Sequence, residues 1–533
     1  MKDWASLRAF IACFASFVFL YLPPANAADN EVAASCAALS GVRLPGATVI
    51  GADFVEAGAF RTSEGKSVPK QDAFCRVVGR ATPSSDSDIR FELWLPTAGW
   101  NGRLWGGGNF GFAGSIGQGS LLARMNAGYA AVNTDTGHQD PDTTTWAIGH
   151  PQKVIDFGHR GIHEAAVNAK RIAAAFYGRP TEHAYFSSCS TGGQQALMEV
   201  QRYPEDYDGV IAGATLPDWI SVYVSGAEWQ FKYLADKTRH IPEAKLPAIR
   251  AAVMATCDSM DGVKDGVIDD PRQCTFDPKT LACSGAETDQ CLTAPQVDTL
   301  QHLYAGLKSS SGKQLMPGYA KGSEDGLNDL YFRAGPGSDA LFPDALDFWR
   351  GFVFEDPKWD FNTFDADRDG QLAQQKLGSV LNATNSDLSK FASRGGKLIL
   401  WHGWADPGLP PAETLDYYRS VQSTMGAEQA SKVVRLFMLP GVSHCGGGDG
   451  PNRFGVIPMV GNGDPQSDIG AALQRWVEKG VAPERIVATK VKDGSGNPGE
   501  VVRTRPLCAY PKVARYTGTG NTDLAANFEC RMP

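Results

Sequence analysis

Apolar and polar positions alternate in a way that predicts a series of strands and helices over the first 215 residues. Residues 89–95 (Ile-Arg-Phe-Glu-Leu-Trp-Leu) alternate strictly and read as a strand, and residues 128–132 as a buried one. Between 159 and 177, Ile162, Ala165, Ala166, Ala169, Ile172, Ala173 and Phe176 recur on one helical face. A short apolar run enters 185–193 (Tyr-Phe-Ser-Ser-Cys-Ser-Thr-Gly-Gly), and a helical pattern leaves it and stops near Pro204. Residues 208–214 form the next strand. Such alternation implies an α/β fold with a parallel sheet and right-handed crossovers. From about 216 to 395 the pattern changes to one with four cysteines, an acidic Gly-rich loop and many aromatics, which reads as an inserted lid domain. Strands resume at 397–401 and 434–439, and a helix is expected over 468–479. The expected division is 1–27, 28–215, 216–395 and 396–533, with the two sheet-forming parts on either side of the lid.

The first 27 residues read as a signal peptide. Lys2 and Arg8 precede an apolar stretch at 9–22 that is too short to span a bilayer, and Ala25-Asn26-Ala27 is a small-x-small cleavage site. An uncleaved anchor is the alternative. Cys13 lies in this segment and ten cysteines follow it, an even number that reads as five disulfides in an exported chain, secreted or periplasmic. Ten cysteines allow about 945 pairings, so counting leaves the connectivity open. There is no Cys-x-x-Cys pair and no zinc-like spacing. The net charge of −9 offers no basic surface for nucleic acid, and no later run is apolar enough to span a membrane.

The segment around Ser190 has the form of a nucleophile elbow, a sharp strand-to-helix turn with small residues two positions to either side. Here these are Ser188 and Gly192, where the usual pattern has two glycines. A plain structural turn is the alternative. After the strand at 89–95 comes Gly106-Gly107-Gly108-Asn109-Phe110-Gly111, a loop whose backbone N–H groups suit an oxyanion hole. It could also be a flexible turn, but it lacks the Lys-Ser/Thr ending of a phosphate loop. Asp406 and His444 each follow an apolar strand pattern. Open parallel sheets hold their sites at the carboxyl ends of strands, and the order nucleophile, acid, histidine is that of α/β-hydrolases. Ser190 would attack a carbonyl, His444 would carry its proton, and Asp406 would orient His444. Thr191 and Gly111 would supply the oxyanion donors. Taken singly, Asp406 before Pro407 could be a turn residue and His444 a loop histidine. Cys189 and Cys445 adjoin the nucleophile and the base, so a disulfide between them would clamp the pair.

Cys189-Ser190-Thr191-Gly192-Gly193, with Tyr203-Pro204 and Tyr207-Asp208-Gly209 after it, resembles the tannase and feruloyl esterase family. So do His402-Gly403-Trp404-Ala405-Asp406 and Pro440-Gly441-Val442-Ser443-His444-Cys445, and the resemblance runs from about Cys36 to Cys530. It implies an α/β-hydrolase core with a large inserted lid and a Ser190, Asp406, His444 triad. It further implies the pairs Cys189–Cys445, Cys36–Cys75, Cys257–Cys274, Cys283–Cys291 and Cys508–Cys530. The family hydrolyses esters of aromatic acids such as gallate and ferulate. Members acting on terephthalate monoesters carry an acidic residue where this chain has Thr191 and an arginine where it has Phe348, which weighs against that acid here.

Residues 257–269 (Cys-Asp-Ser-Met-Asp-Gly-Val-Lys-Asp-Gly-Val-Ile-Asp) space carboxylates three and four apart with glycines after two of them. That composition suits a hard, oxygen-liking cation, or simply a solvated acidic turn. The resemblance implies structural Ca²⁺ held by the carboxylates of Asp258, Asp261 and Asp265 and the carbonyls of Val263 and Val267. The lid aromatics Trp219, Tyr223, Trp229, Phe348, Trp349, Phe352, Phe354 and Trp359 could line an acyl pocket or form the lid core. Phe352 and Leu409 are the expected substrate contacts. The expected function is a serine esterase acting on a small-molecule aromatic ester, with no organic cofactor. The rivals are a terephthalate-monoester hydrolase of the same family, a non-catalytic calcium-dependent binding protein on this scaffold, and a lipase or peptidase.

Overall fold

The structure, a computed structural model, describes residues 27–62, 65–68, 70–140, 143–233, 236–327, 343–456, 461–493 and 499–533. The expected signal segment lies outside them except for Ala27, which opens the helix Ala27–Ala38. Nine strands, numbered in chain order, make one sheet: β1 (Ala47–Val55), β2 (Phe74–Ala81), β3 (Ile89–Pro96), β4 (Arg103–Gly107), β5 (Ala130–Thr134), β6 (His183–Cys189), β7 (Gly209–Gly213), β8 (Lys397–Gly403) and β9 (Val434–Leu439). Their order is β1-β2-β3-β5-β4-β6-β7-β8-β9.

The sheet is mixed rather than parallel throughout. Strands β1, β2, β3 and β5 pair antiparallel, and β5 through β9 pair parallel. Short links between β1, β2 and β3 permit antiparallel neighbours, whereas the later strands are separated by helices long enough for crossovers. Strand β1 escapes a periodicity reading because its register slips between Val49 and Gly51 and many of its positions are half-buried. The strand expected at 128–132 begins two residues later, because Gly128 sits in a turn with φ +83°. Strand β7 is buried at every position, as a central parallel strand covered on both faces must be.

Among the described residues, 214–396 add no strand to this sheet. With Phe112 and Phe157 they build a separate apolar cluster that includes Trp219, Phe348, Trp349, Phe352 and Leu377. Beyond the helix Ile469–Lys479 the tail forms two hairpins, Arg485–Val491 with Val501–Cys508 and Val513–Tyr516 with Phe528–Arg531. All five disulfides implied by the resemblance are present. Four close short loops of 8 to 39 residues, and Cys189–Cys445 spans 256.

The helix Thr191–Arg202 lies against the sheet edge-on at Gly193. A Cβ there would stand 2.3 Å from the Gly213 carbonyl oxygen, a backbone atom of β7 that cannot move aside. Gly193→Ala is therefore expected to destabilise the protein by about 2 kcal/mol or more, read as a lower Tm in circular dichroism; an unchanged Tm would show that the helix has room to lift.

Candidate active site

Three loops at the carboxyl ends of β6, β8 and β9 meet. Ser190 directly follows β6 with φ +64° and ψ −128°, a backbone conformation that costs a non-glycine residue of the order of 1–3 kcal/mol. The surroundings enforce it. The Ser190 N–H donates to the Gly213 carbonyl at 3.0 Å, and the next helix starts at once. Gly192 and Ser188 show why the elbow needs small residues. A Cβ on Gly192 would lie 1.8 Å from Ser188 Oγ, and one on Gly108 would lie 2.8 Å from Ser188 Cβ. Serine at 188 thus fits in the narrow space where the usual pattern has glycine, at the expense of leaving its buried hydroxyl without a hydrogen-bond partner.

His444 Nε2 is 2.9 Å from Ser190 Oγ, and His444 Nδ1 is 2.8 Å from Asp406 Oδ2. Asp406 is fully buried, and its other oxygen accepts the backbone N–H groups of Gly408 (2.7 Å) and Leu409 (3.0 Å). Burial pushes the Asp406 pKa up, but the charges and hydrogen bonds of His444 and His402 hold it well below the usual carboxylate range. For His444, burial acts downward and the Asp406 carboxylate upward, and the net result is above the ordinary histidine value. This arrangement can take a proton from Ser190 while stabilising the imidazolium that results.

His402 is a member of the site that sequence reasoning passed over. Its Nε2 lies 3.0 Å from Asp406 Oδ2, and its Nδ1 lies 2.7 Å from Thr414 Oγ1, which in turn pairs with Thr215 Oγ1 at 2.6 Å. Both histidines therefore share one carboxylate oxygen. The signal was available: His402 and Asp406 are four residues apart at the end of a buried strand.

The Thr191 hydroxyl donates to the Gly111 carbonyl at 2.7 Å, which ties the Gly-rich loop to the residue after Ser190. Both residues line a cavity of about 310 Å³ together with Ser190, His444 and Leu409. Phe352 does not, which corrects the expectation for that residue. It is 2% exposed and packs on Phe112, Trp146, Phe157 and Phe348 within the lid core. Of the eight lid aromatics, Tyr223 reaches the cavity wall.

The acidic loop adds no residue to this cavity, although its Val267 stands against Gly441 of the segment leading to His444. Asp258 Oδ1 accepts the N–H groups of Asp265 and Gly266, both at 3.1 Å, and Asp261 Oδ1 accepts that of Val263 at 2.9 Å. Gly262 (φ +91°) and Gly266 (φ +80°) supply the left-handed turns that curl the loop. Asp265 is paired with Arg505 and, at 3.4 Å, with Arg503. Among the described residues, no three His, Cys, Asp or Glu side chains surround a common metal position.

The sequence pattern of the family described as "Tannase and feruloyl esterase" matches residues 75–531. An uncharacterized esterase of Xanthomonas campestris pv. campestris is 39% identical, over 94% of this chain and 92% of its own. A mono(2-hydroxyethyl) terephthalate hydrolase of Piscinibacter sakaiensis is 32% identical, over 90% of this chain and 89% of its own. The crystal structure of feruloyl esterase B from Aspergillus oryzae superposes with a TM-score of 0.86 at 29% identity, covering 94% of this chain and all of that one. This chain belongs to the tannase and feruloyl esterase family of α/β-hydrolases, and it is a carboxylic ester hydrolase.

Proposed function

We propose that the protein is an exported serine esterase that cleaves esters of aromatic acids, of feruloyl or galloyl type, through an acyl-enzyme. The observation that carries this reading is the unbroken hydrogen-bond path Ser190–His444–Asp406, whose serine and histidine line a largely apolar cavity. His444 takes the Ser190 proton as Oγ attacks the ester carbonyl, then gives it to the departing alcohol. Water repeats the sequence to release the acid. The backbone N–H groups of Thr191 and Gly111 are the proposed donors to the oxyanion. The names of the relatives support the acyl class: feruloyl esterase B for one and terephthalate monoester hydrolase for another. Thr191 and Phe348 argue for the former. Export is supported by the five disulfides, and among the described residues no helix is long and apolar enough to cross a membrane.

We further propose that the acidic loop holds a structural Ca²⁺. Its support is donor chemistry: three carboxylates and two carbonyls, all oxygen, from Asp258, Asp261, Asp265, Val263 and Val267. The competitor is the Arg505 guanidinium at Asp265. The loop contributes no residue to the cavity that holds Ser190, so the ion's part would be to brace the lid against the tail hairpins.

Four outcomes are expected. Purified protein hydrolyses methyl ferulate or methyl gallate, and Ser190→Ala loses roughly 10⁵–10⁶-fold in kcat; a wild type that turns over no aromatic ester in a substrate panel would leave the binding-protein reading in front. The kcat/KM profile rises with pH. Ser190 can be deprotonated only by neutral His444, so activity is lost as pH falls through a limb above the ordinary histidine value of about 6.5. Asp406→Asn removes the charge that raises His444 and moves the limb down, with a loss of about 10⁴-fold in kcat. Calcium is expected to raise Tm relative to a chelator-treated sample, and Asp258→Asn to abolish the difference; equal melting curves with no calcium found by elemental analysis would remove the ion from this account.

A further inference from the structure

The hydrogen bonds of the triad do not stop at Asp406; they run on and return to the nucleophile. Ser190 Oγ meets His444 Nε2 at 2.9 Å, and His444 Nδ1 meets Asp406 Oδ2 at 2.8 Å. From the same oxygen the path continues to His402 Nε2 (3.0 Å), from His402 Nδ1 to Thr414 Oγ1 (2.7 Å), and from there to Thr215 Oγ1 (2.6 Å). Thr215 lies two residues beyond Gly213, the last residue of β7, whose carbonyl accepts the Ser190 N–H at 3.0 Å. Ser190 therefore stands at both ends of one circuit, which passes through β8, the helix Pro411–Met425 and β7.

His402 is the one ring in this circuit to which the reaction has so far given no part. It is fully buried, as are Thr215, Thr414 and Asp406. Ionised Asp406 only accepts hydrogen bonds, so the His402 nitrogen facing it carries a hydrogen and Nδ1 is left to the Thr414 hydroxyl. A carboxylate has about four lone-pair sites. Here Oδ1 takes the N–H groups of Gly408 and Leu409, and Oδ2 takes those of His402 and His444. The N–H dipole of His402 points its positive end at the oxygen that His444 uses, which weakens the hold of that oxygen on a proton at His444. The charged groups acting on Asp406 are His444 and His402, and Asp406 is the one acting on His444. On the packing helix Glu413 adjoins Thr414; burial, with Asp218 and Asp416 nearby, pushes its pKa well up and favours the neutral acid.

We infer that His402 is a positioning residue of the esterase reaction: by taking the second site on Asp406 Oδ2 it fixes the carboxylate for His444 and sets the pH at which His444 becomes able to accept the Ser190 proton. This inference rests on the triad reading above and not on the identity of the acid. Without the His402 donor, a charge that water does not reach is left with an empty lone pair. Its hold on the His444 proton then strengthens, His444 stays protonated to higher pH, and the limb of the activity profile moves up. Asp406→Asn moves the same limb down, so the two substitutions separate the presence of the charge from the way it is shared.

The test exploits the two nitrogens of the ring. The glutamine amide nitrogen falls near the place of Nε2, so His402→Gln keeps a donor toward Asp406. Asparagine is one carbon shorter and its nitrogen falls near Nδ1, so His402→Asn keeps the Thr414 contact and loses Asp406. The pH profile of kcat/KM for p-nitrophenyl acetate is measured in wild type, in both variants and in Ser190→Ala, with a circular dichroism melt to show folding. His402→Asn is expected to move the limb up by about half a pH unit or more, and to lower kcat on the plateau about tenfold or more with KM little changed. His402→Gln is expected to keep the limb of wild type and to lose less in kcat. A side chain that only filled the core would lower Tm in both variants and leave the limb in place. If His402→Asn does not fold, Thr414→Val decides, because it removes the anchor of Nδ1 and keeps both rings; its limb is expected to move up. A limb that stays or moves down in the folded variant, or that moves equally in His402→Asn and His402→Gln, overturns the inference and leaves the triad standing. Wild-type turnover in Ser190→Ala overturns the triad reading and this inference together.

Discussion

One buried negative charge governs the site. Asp406 has no exposed surface, and an ionised carboxylate in that position costs several kcal/mol unless its oxygens are satisfied. Four donors surround it: two backbone N–H groups from its own loop and the rings of His402 and His444. His402 ends β8, and His444 follows β9. The charge is thus tolerated only if these two strands pair in the observed register, Leu398 beside Val434 through Gly403 beside Leu439. Thr414 and Thr215 extend the constraint to the helix Pro411–Met425 and to the end of β7. A shift in any of these elements would strand a charge in the interior, so the fold and the geometry at Ser190 are held by the same bonds.

The elements nearest this charge were the ones legible in the sequence. Ser190, Asp406 and His444 each lie within a few residues after a parallel strand that is buried at all but one position, and such strands read as nearly uninterrupted apolar runs that stop abruptly. Beyond the sheet centre the reading weakened for identifiable reasons. A bulge in β1 breaks its alternation, and the short tail hairpins bury only part of each strand. His402 was hidden because a histidine at the end of an apolar run looks like the end of the run. Phe352 was placed in the pocket because composition cannot tell a wall from a core. It sits in the π-helical turn Phe348–Val353, nearly all of which is buried. The partners of Asp265 could not be read at all, since Arg503 and Arg505 arrive from a hairpin some 240 residues later.

The lid's aromatic rings do more than fill space. Phe157, Trp219, Tyr223, Phe348 and Phe352 form a contiguous series of stacked and edge-on contacts. Each such pair adds roughly 0.5–1.5 kcal/mol beyond the area it buries. The series joins residues on both sides of β6 and β7 in sequence, so the cavity wall is braced from the core domain as well as from the lid.

The Cys189–Cys445 bridge has a topological consequence. Its two ends flank Ser190 and His444, so the polypeptide between them, which includes every lid residue, is the remainder of a covalent ring. A single peptide bond cut anywhere on that ring leaves one molecule, with Cys189 and Cys445 still joined beside Ser190 and His444. Proteolysis on the exposed lid turns would therefore open the ring without parting the halves of the site. In surroundings where proteases are abundant, a nick in the lid would thus leave Ser190 and His444 on one covalently joined molecule.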